Sequence, residues 1–521
     1  MSFAVIARLL AGFTLFFTLA MLVPLAVSLG EETTESTTLP FVGSLSIGLL
    51  TAAALWFIGR KSRRDVYRKE GLAMVGLAWF LAGGLAAIPF VWSQSIPSFV
   101  DAYFESISGL TTTGATVLGT MNRDIESLAP SVLLWRSMLQ WMGGIGIVLV
   151  FVVLLPSIGV TGSRLLSSEQ VGISNESLRP RLSDQARSLF RLYAVLTAAA
   201  AIAYWATGLS VFDAVCHSMT TLATGGFSNN NVSIGGYQNF GVECVAVVFM
   251  FLAGCNFLFI LKSMMRRGRS QYDSTPHRSE FRVYLSITLL VSLGITLSLW
   301  VWGQPVRDES VNTTHLYSDF GQCLRDGVFQ TVSILTSTGY ANADFENWPK
   351  PALYLIFLCM FVGACTGSTA GGFKVMRLII CAKLGSYSLR QFVRPRSVEK
   401  IRVGQDVLPN HVVSSVLGLL VLWLATVAVG ALVLDLDPRL DLMSAMTASL
   451  SMMGCIGPAF GEVVTTDPGT FQLVGSVDLG PYSGYGELHW WAKLTMSLQM
   501  VLGRLEILAP LAILTPSFWR R

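Results

Sequence analysis

Long apolar runs alternate with short polar stretches along the whole chain. The runs cover about 5–29, 40–59, 72–92, 131–155, 188–209, 240–262, 282–303, 351–382, 411–434 and 489–515. About 20 apolar residues in a helix cross a bilayer's hydrocarbon core, so the pattern predicts ten membrane helices. Four further stretches, 101–112, 213–223, 326–337 and 441–455, are amphiphilic and too short to cross. The first run follows Arg8 and extends to Leu29, longer than the apolar core of a secretory signal, and reads as a retained helix.

Composition agrees with that map. Of 521 residues, 52% are hydrophobic and 13% charged, against about 25% charged in a soluble chain. A soluble enzyme and a disordered chain are both excluded. The net charge of +4 is too small to imply a nucleic-acid partner. The eight cysteines and five histidines form no metal-ligand spacing and no nucleophile–base pattern, so an intramembrane enzyme is not indicated. No GxxxxGK[ST] phosphate loop occurs.

The placement of charge says more than its sum. Segments 60–70, 157–187, 262–282 and 383–402 and the two ends hold 25 of the 36 Lys and Arg, whereas 30–40, 93–130, 210–238, 304–350 and 435–488 hold five. The acids are distributed the other way, with 21 of 32 in the second set. The positive-inside rule then puts both termini in the cytoplasm, consistent with an even number of crossings.

The short stretches share a design. They run Asp101 to Gly114, Asp213 to Gly225, Asp326 to Gly339 and, more weakly, Asp441 to Gly457-Pro458. Each opens on an aspartate suited to a helix N-cap and ends in small and polar residues. Each lies between two predicted crossings, giving a helix, half-helix, helix unit repeated four times. A 12-residue helix rises about 18 Å, to mid-bilayer. Four such helices converging on one axis would turn the negative ends of their dipoles toward a common cavity and attract a cation. The return path would be non-helical, which membrane depth tolerates only around a polar cavity or within protein. Carbonyls along it could replace an ion's hydration shell. For a single segment a Thr-Gly pair reads equally well as a loop turn; four in register do not. In the fourth stretch, spacing from Asp441 favours Gly454, and the following proline favours Gly457.

Several motifs carry a family likeness. They are Leu110-Thr-Thr-Thr-Gly-Ala-Thr116, Leu222-Ala-Thr-Gly-Gly-Phe-Ser228, Leu335-Thr-Ser-Thr-Gly-Tyr-Ala341, Gly457-Pro-Ala-Phe-Gly461, Cys365-Thr-Gly-Ser-Thr-Ala-Gly-Gly-Phe-Lys374 and Gly503-Arg-Leu-Glu-Ile507. With them the chain resembles the TrkH branch of the Trk/Ktr/HKT superfamily of potassium transporters over its whole length. The resemblance implies an all-α polytopic membrane protein: a helix pair (1–70) and four pseudo-repeated helix–pore-loop–helix units around one pore (71–160, 187–265, 281–385 and 410–521). It implies potassium uptake across a bacterial inner membrane, as a homodimer in the lipid bilayer. Its selectivity filter falls on Thr112, Thr113, Gly114, Thr224, Gly225, Thr338, Gly339, Ile456 and Gly457, with K+ as transported ion and no organic cofactor. Glycine at all four filter positions goes with potassium rather than sodium preference. The family's Asn residues before the fourth Gly-Pro are replaced here by Gly454 and Cys455. A gate is implied at Gly367, Ser368, Thr369, Gly371 and Gly372 within the interrupted eighth run, with Arg504 facing the pore. The implied partner is a cytoplasmic nucleotide-binding ring of the TrkA type, binding ATP, ADP or NAD, with 262–282 and 383–402 as docking surfaces.

By residue chemistry alone, the small residues of 363–372 read equally as close helix packing. An arginine at membrane depth is costly and faces water or the protein interior; Glu506, two residues on, points elsewhere on a helix. Lys374 and Arg377 read as snorkelling anchors. Glu105, His217 and Gln330 are expected to hydrogen-bond around the filter, Glu243 to be a pore-mouth charge or a cap, and Pro24 to kink its helix. Asn175, Asn231 and Asn312 match glycosylation sequons. The rival function is a Na+- or H+-coupled secondary carrier.

Overall fold

The computed structural model describes residues 2–31, 37–61, 68–119, 124–149, 178–264, 276–304, 306–308, 313–315, 317–395, 401–404, 406–466, 473–482, 484–507, 510–511 and 515–519. Asn175, Asn312 and most of 157–187 and 265–275 lie outside them.

The chain opens with α1 (Phe3–Ala20), α2 (Leu22–Ser28) and α3 (Thr38–Gly59). Pro24 lies in the first turn of α2, where its missing N–H leaves Ala20 without a helical partner, and the helix breaks at Met21. Four units follow. The first comprises α4 (Arg68–Trp92), the short α5 (Phe99–Leu110) and α6 (Pro130–Leu149); the second comprises α7 (Leu178–Ala206), the short α8 (Val211–Leu222), α9 (Phe240–Ala253) and α10 (Phe257–Met264). The third has α11 (Pro276–Trp302), the short α12 (Phe320–Leu335), α13 (Lys350–Met360) and α14 (Val375–Val393). The fourth has α15 (Asn410–Leu434), the short α16 (Leu442–Gly454) and α17 (Trp490–Arg504), before a final turn, α18 (Pro516–Trp519). Strands among the described residues form three antiparallel ribbons: Val306–Asp308 with Thr313–His315, Arg402–Val403 with Asp406–Val407, and Glu462–Thr466 with Leu473–Asp478.

Among the described residues six helices are long and apolar enough to cross a membrane. They are the N-terminal pair and the first helix of every unit. The second helix of each unit fails on length or polarity. A Cβ at Gly143 of α6 would strike the carbonyl of Leu110, and one at Gly503 of α17 the carbonyl of Met453. Glycine here lets the second helix approach the end of the short one. Two of these helices are also broken where the apolar pattern reads as continuous, between α9 and α10 at 254–256 and after α17 at 505–507.

The short helices are buried over most of their length. The aspartate caps expected from the sequence hold only for α16, where Asp441 accepts from Ser444 N at 2.7 Å. In α5 and α8 the cap is a serine three residues earlier, Ser98 accepting from Asp101 N and Ser210 from Asp213 N. The third helix begins a turn further back, at Asp319, leaving Asp326 buried inside it. Serine three residues before an acid is a strong N-terminal pattern, and Asp101 and Asp213 still sit in the first turn where the dipole favours them.

Ion pairs staple neighbouring units near the N-terminal ends of the short helices. Lys493 of α17 donates to Asp101 of α5 at 2.6 Å and to Gly486 O at 2.7 Å. Arg325 of α12 meets Glu243 of α9 through two bonds of 2.7 and 2.6 Å; Glu243 is thus a buried partner of a cation. Replacing Lys493 by Met takes the cation from a buried carboxylate, a loss of up to about 3–5 kcal/mol. The expected outcome is a clear drop in melting temperature of the purified protein in detergent, measured beside the parent.

Candidate functional site

After each short helix the backbone makes the same turn. The amide of Thr113 reaches back to Ser108 O, Gly225 to Thr220 O, Thr338 to Ser333 O and Ile456 to Ser451 O, at 2.8–3.0 Å. One residue earlier, Thr112, Thr224, Ser337 and Cys455 all have φ between 52° and 54°. One residue later come four glycines, again with positive φ: Gly114 (80°), Gly226 (80°), Gly339 (79°) and Gly457 (105°). Three of these lie sixteen residues after their helix cap (Ser98 to Gly114, Ser210 to Gly226, Asp441 to Gly457).

This register changes the assignment in the second unit. The counterpart of Gly114 is Gly226 and not Gly225, which instead matches Thr113, Thr338 and Ile456. Spacing carried the signal: Asp101 to Gly114, Asp213 to Gly226 and Asp326 to Gly339 are each 13 residues. In the fourth unit Gly457 takes the position, while Gly454 is the last residue of α16. Cys455 adopts the left-handed conformation there.

The four returns close into a ring. A Cβ on Gly114 would strike the carbonyl oxygen of Gly225, one on Gly226 that of Thr338, and one on Gly339 that of Ile456. One on Gly457 would come 2.7 Å from Thr113 O, completing the circle. Only glycine fits both the positive φ and the contact. One cavity touches all four glycines, and Arg136, Asn230 and Tyr482 help to line it. The ring therefore stands at the floor of a single vestibule.

Buried side chains brace the returns. Glu105 accepts from Val117 N at 2.9 Å and Thr116 Oγ1 at 3.0 Å and is paired with Arg136 at 2.8 Å. His217, at the matching place in α8, sits 3.0 Å from Ser228 Oγ and 2.9 Å from Asp213 O. Among the described residues Gln330, in α12, finds no hydrogen-bond partner for either end of its carboxamide, unlike the expectation from sequence. Tyr485 donates to Gly457 O at 2.7 Å.

On the other side of the ring lies the break between α13 and α14. Residues 361–374 form a loop held by a parallel bridge between Val362 and Phe373. The loop touches the C-terminal ends of three short helices. Thr369 Oγ1 donates to Leu222 O at 3.0 Å, and Gly371 N donates to Ser337 Oγ at 2.5 Å. A Cβ at Gly371 would strike Gly454 O. Arg504, buried, donates to Thr369 O at 2.6 Å and to Gly143 O at 3.3 Å, joining the loop to the first unit. Its Nε has no partner among the described residues. Glu506 pairs with Arg377, not with Arg504. Lys374 is no snorkelling anchor: it is buried, and its ammonium donates to Ala370 O within the loop. Gly367 has φ +74° and Gly372 φ +69°, and Ser368 donates to Cys365 O. Sequence reasoning missed Glu280, whose buried carboxylate accepts from Thr366 N at 2.6 Å and Met376 N at 3.2 Å and so ties the interior of the loop to the first turn of α14. Its signal was one of two acids, with Asp273, in a basic segment.

Chemically, the ring offers neutral carbonyl and hydroxyl oxygens around an axis. Among the described residues no cluster of three His, Cys, Asp or Glu could hold a metal ion. Oxygen dipoles without carboxylates suit a monovalent cation in transit better than a tightly held divalent one.

Comparison with known proteins places this geometry. The TrkH family profile, described as a cation transport protein, matches residues 41–517. The Trk system potassium uptake protein TrkH of Vibrio parahaemolyticus is 33% identical over the full length of both chains. The TrkH of Escherichia coli strain K12 is 31% identical over both full lengths, and that strain's TrkG is 30% identical over 98% of each. The crystal structure of the potassium transporter TrkH from Vibrio parahaemolyticus superposes with a TM-score of 0.84, at 31% identity and full coverage of both chains. With the repeated units, the ring and a match of this extent, the chain belongs to the TrkH family of cation transport proteins, a family of transporters rather than enzymes.

Proposed function

We propose that the protein takes up potassium through this ring, across the inner membrane of a bacterium. The observation that carries the reading is the closed circle in which each unit's glycine abuts the next unit's carbonyl. Thr113, Gly225, Thr338 and Ile456 then supply a layer of four carbonyls that takes the place of water around K+, and Gly114, Gly226, Gly339 and Gly457 hold the mouth open. The short helices begin outside and point their C-terminal ends inward, so their dipoles favour a cation beyond the filter. Both termini are cytoplasmic. The membrane potential draws the ion inward with about 2.3 kcal/mol per charge per 100 mV.

The loop 361–374 and Arg504 form the gate. The loop lies against the ends of the short helices, and the guanidinium places a positive charge in a low-dielectric region under the path. Opening requires Thr369 to leave Leu222 O and Arg504 to leave Thr369 O. Work for that step comes from a TrkA-type nucleotide-binding ring on the cytoplasmic face, which docks on 383–402 and the basic segment around 262–282 of a homodimer. The direct test is expression in a bacterium lacking its own potassium uptake. Growth at low external K+ is the expected result; absence of growth, with the protein present in the membrane, contradicts the reading.

A further inference from the structure

In the first and third units the ring residue is a threonine anchored from within its own unit. Thr113 Oγ1 lies 2.7 Å from Thr111 Oγ1, and Thr338 Oγ1 lies 2.7 Å from Thr336 Oγ1. Thr111 and Thr336 in turn donate to carbonyls of their short helices, Ile107 O and Val332 O, at 2.7 Å. The return is thus tied to its helix through two hydroxyls. The second unit has Ala223 and Gly225 at these two places and neither hydroxyl. Its anchor comes from elsewhere. Gln140, fully buried in α6 of the first unit, donates from Nε2 to Gly225 O at 2.7 Å and accepts from Phe227 N at 3.2 Å through Oε1. A Cβ built on Gly225 would run into Cδ, Oε1 and Nε2 of this carboxamide, which are its three nearest neighbours. The amide therefore fills the volume that a side chain at Gly225 would take.

We infer that Gln140 is a specificity-determining positioning residue: it supplies to the second return, from the neighbouring unit, the anchor that the first and third returns carry themselves. The inference rests on the filter reading above. Four oxygens discriminate K+ from Na+ only as far as they resist closing around the smaller ion. Glycine is the ring member with the greatest backbone freedom. Two hydrogen bonds, at the Gly225 carbonyl and at the Phe227 amide on the far side of Gly226, restrict that freedom, and the Nε2 bond fixes the oxygen itself.

The test compares K+ and Na+ flux in proteoliposomes of the full-length protein. Gln140→Met keeps volume and removes both bonds; the K+/Na+ ratio is expected to fall roughly tenfold, the scale of two ordinary hydrogen bonds. Gly225→Thr alone collides with the carboxamide and is expected to lose K+ flux. Combining Ala223→Thr and Gly225→Thr with Gln140→Ala gives the second unit both hydroxyls and room for the new side chain at 225, and is expected to regain most of the ratio. An unchanged ratio in Gln140→Met, or a combined variant no better than Gly225→Thr, overturns the inference. A Gln140→Met protein that does not elute as a folded species leaves the decision to the combined variant, which also lacks the carboxamide. Gly339→Ser is measured in parallel, by its K+ flux. If that flux is lost and Gln140→Met leaves the ratio unchanged, the role of Gln140 fails while the filter stands. If Gly339→Ser keeps the parental flux and ratio, the filter reading itself has failed.

Discussion

Alanine at Gly226 will abolish potassium uptake, although the change adds one methyl group. The residue has φ +80°, a conformation that costs an L-residue about 1–2 kcal/mol. The larger cost is steric, since the new Cβ meets Thr338 O. Relief requires the second or third return to move, and either movement opens the ring. The same substitution at Gly114 or Gly339 has the same consequence, because their methyl groups would meet Gly225 O and Ile456 O. Gly225→Ser, by contrast, involves no positive φ and presses on Gln140, a side chain able to shift. Reduced K+ over Na+ discrimination with uptake retained is the expected result there. Growth of an uptake-deficient host at graded external K+, with membrane expression checked, ranks the variants. Equal growth of Gly226→Ala and the parent would refute the register.

Arg504→Ala will raise K+ flux in the absence of any cytoplasmic partner. Two unit charges 4 Å apart repel by about 4 kcal/mol at an effective dielectric constant of 20. Even a quarter of that barrier, once removed, speeds passage several-fold. The variant also frees Thr369 O and Gly143 O, so the loop loses its tie to the first unit. Arg504→Lys keeps the charge and gives up the forked geometry, and is expected to fall between the two. Flux from Arg504→Ala proteoliposomes at the parental level would remove Arg504 from the gate.

Much of this architecture is legible in the sequence, for identifiable physical reasons. Apolar runs report lipid exposure, so the N-terminal pair and the first helix of each unit stand out plainly. The second helices contact protein and the polar axis instead, so breaks at 254–256 and 505–507 are not marked by hydropathy. Half-helices were readable from length and repetition, but their starts were displaced because Ser98, Ser210 and Asp319 outcompete the aspartates chosen as caps. The off-by-one at Gly225 arose because two adjacent glycines offer no chemical difference. Only the backbone bonds to Thr220 O and the sign of φ separate them. Lys374 misled for a related reason: a lysine after an apolar run normally snorkels, whereas here the loop turns back and buries it. Gln140 and Glu280 act across units, at separations no local pattern reports.

Diffraction from crystals equilibrated with thallium, a heavy stand-in for K+, tests the central idea most directly. The account predicts an anomalous peak on the axis, equidistant from the carbonyl oxygens of Thr113, Gly225, Thr338 and Ile456. Thallium bound at other places with nothing inside that ring would contradict it.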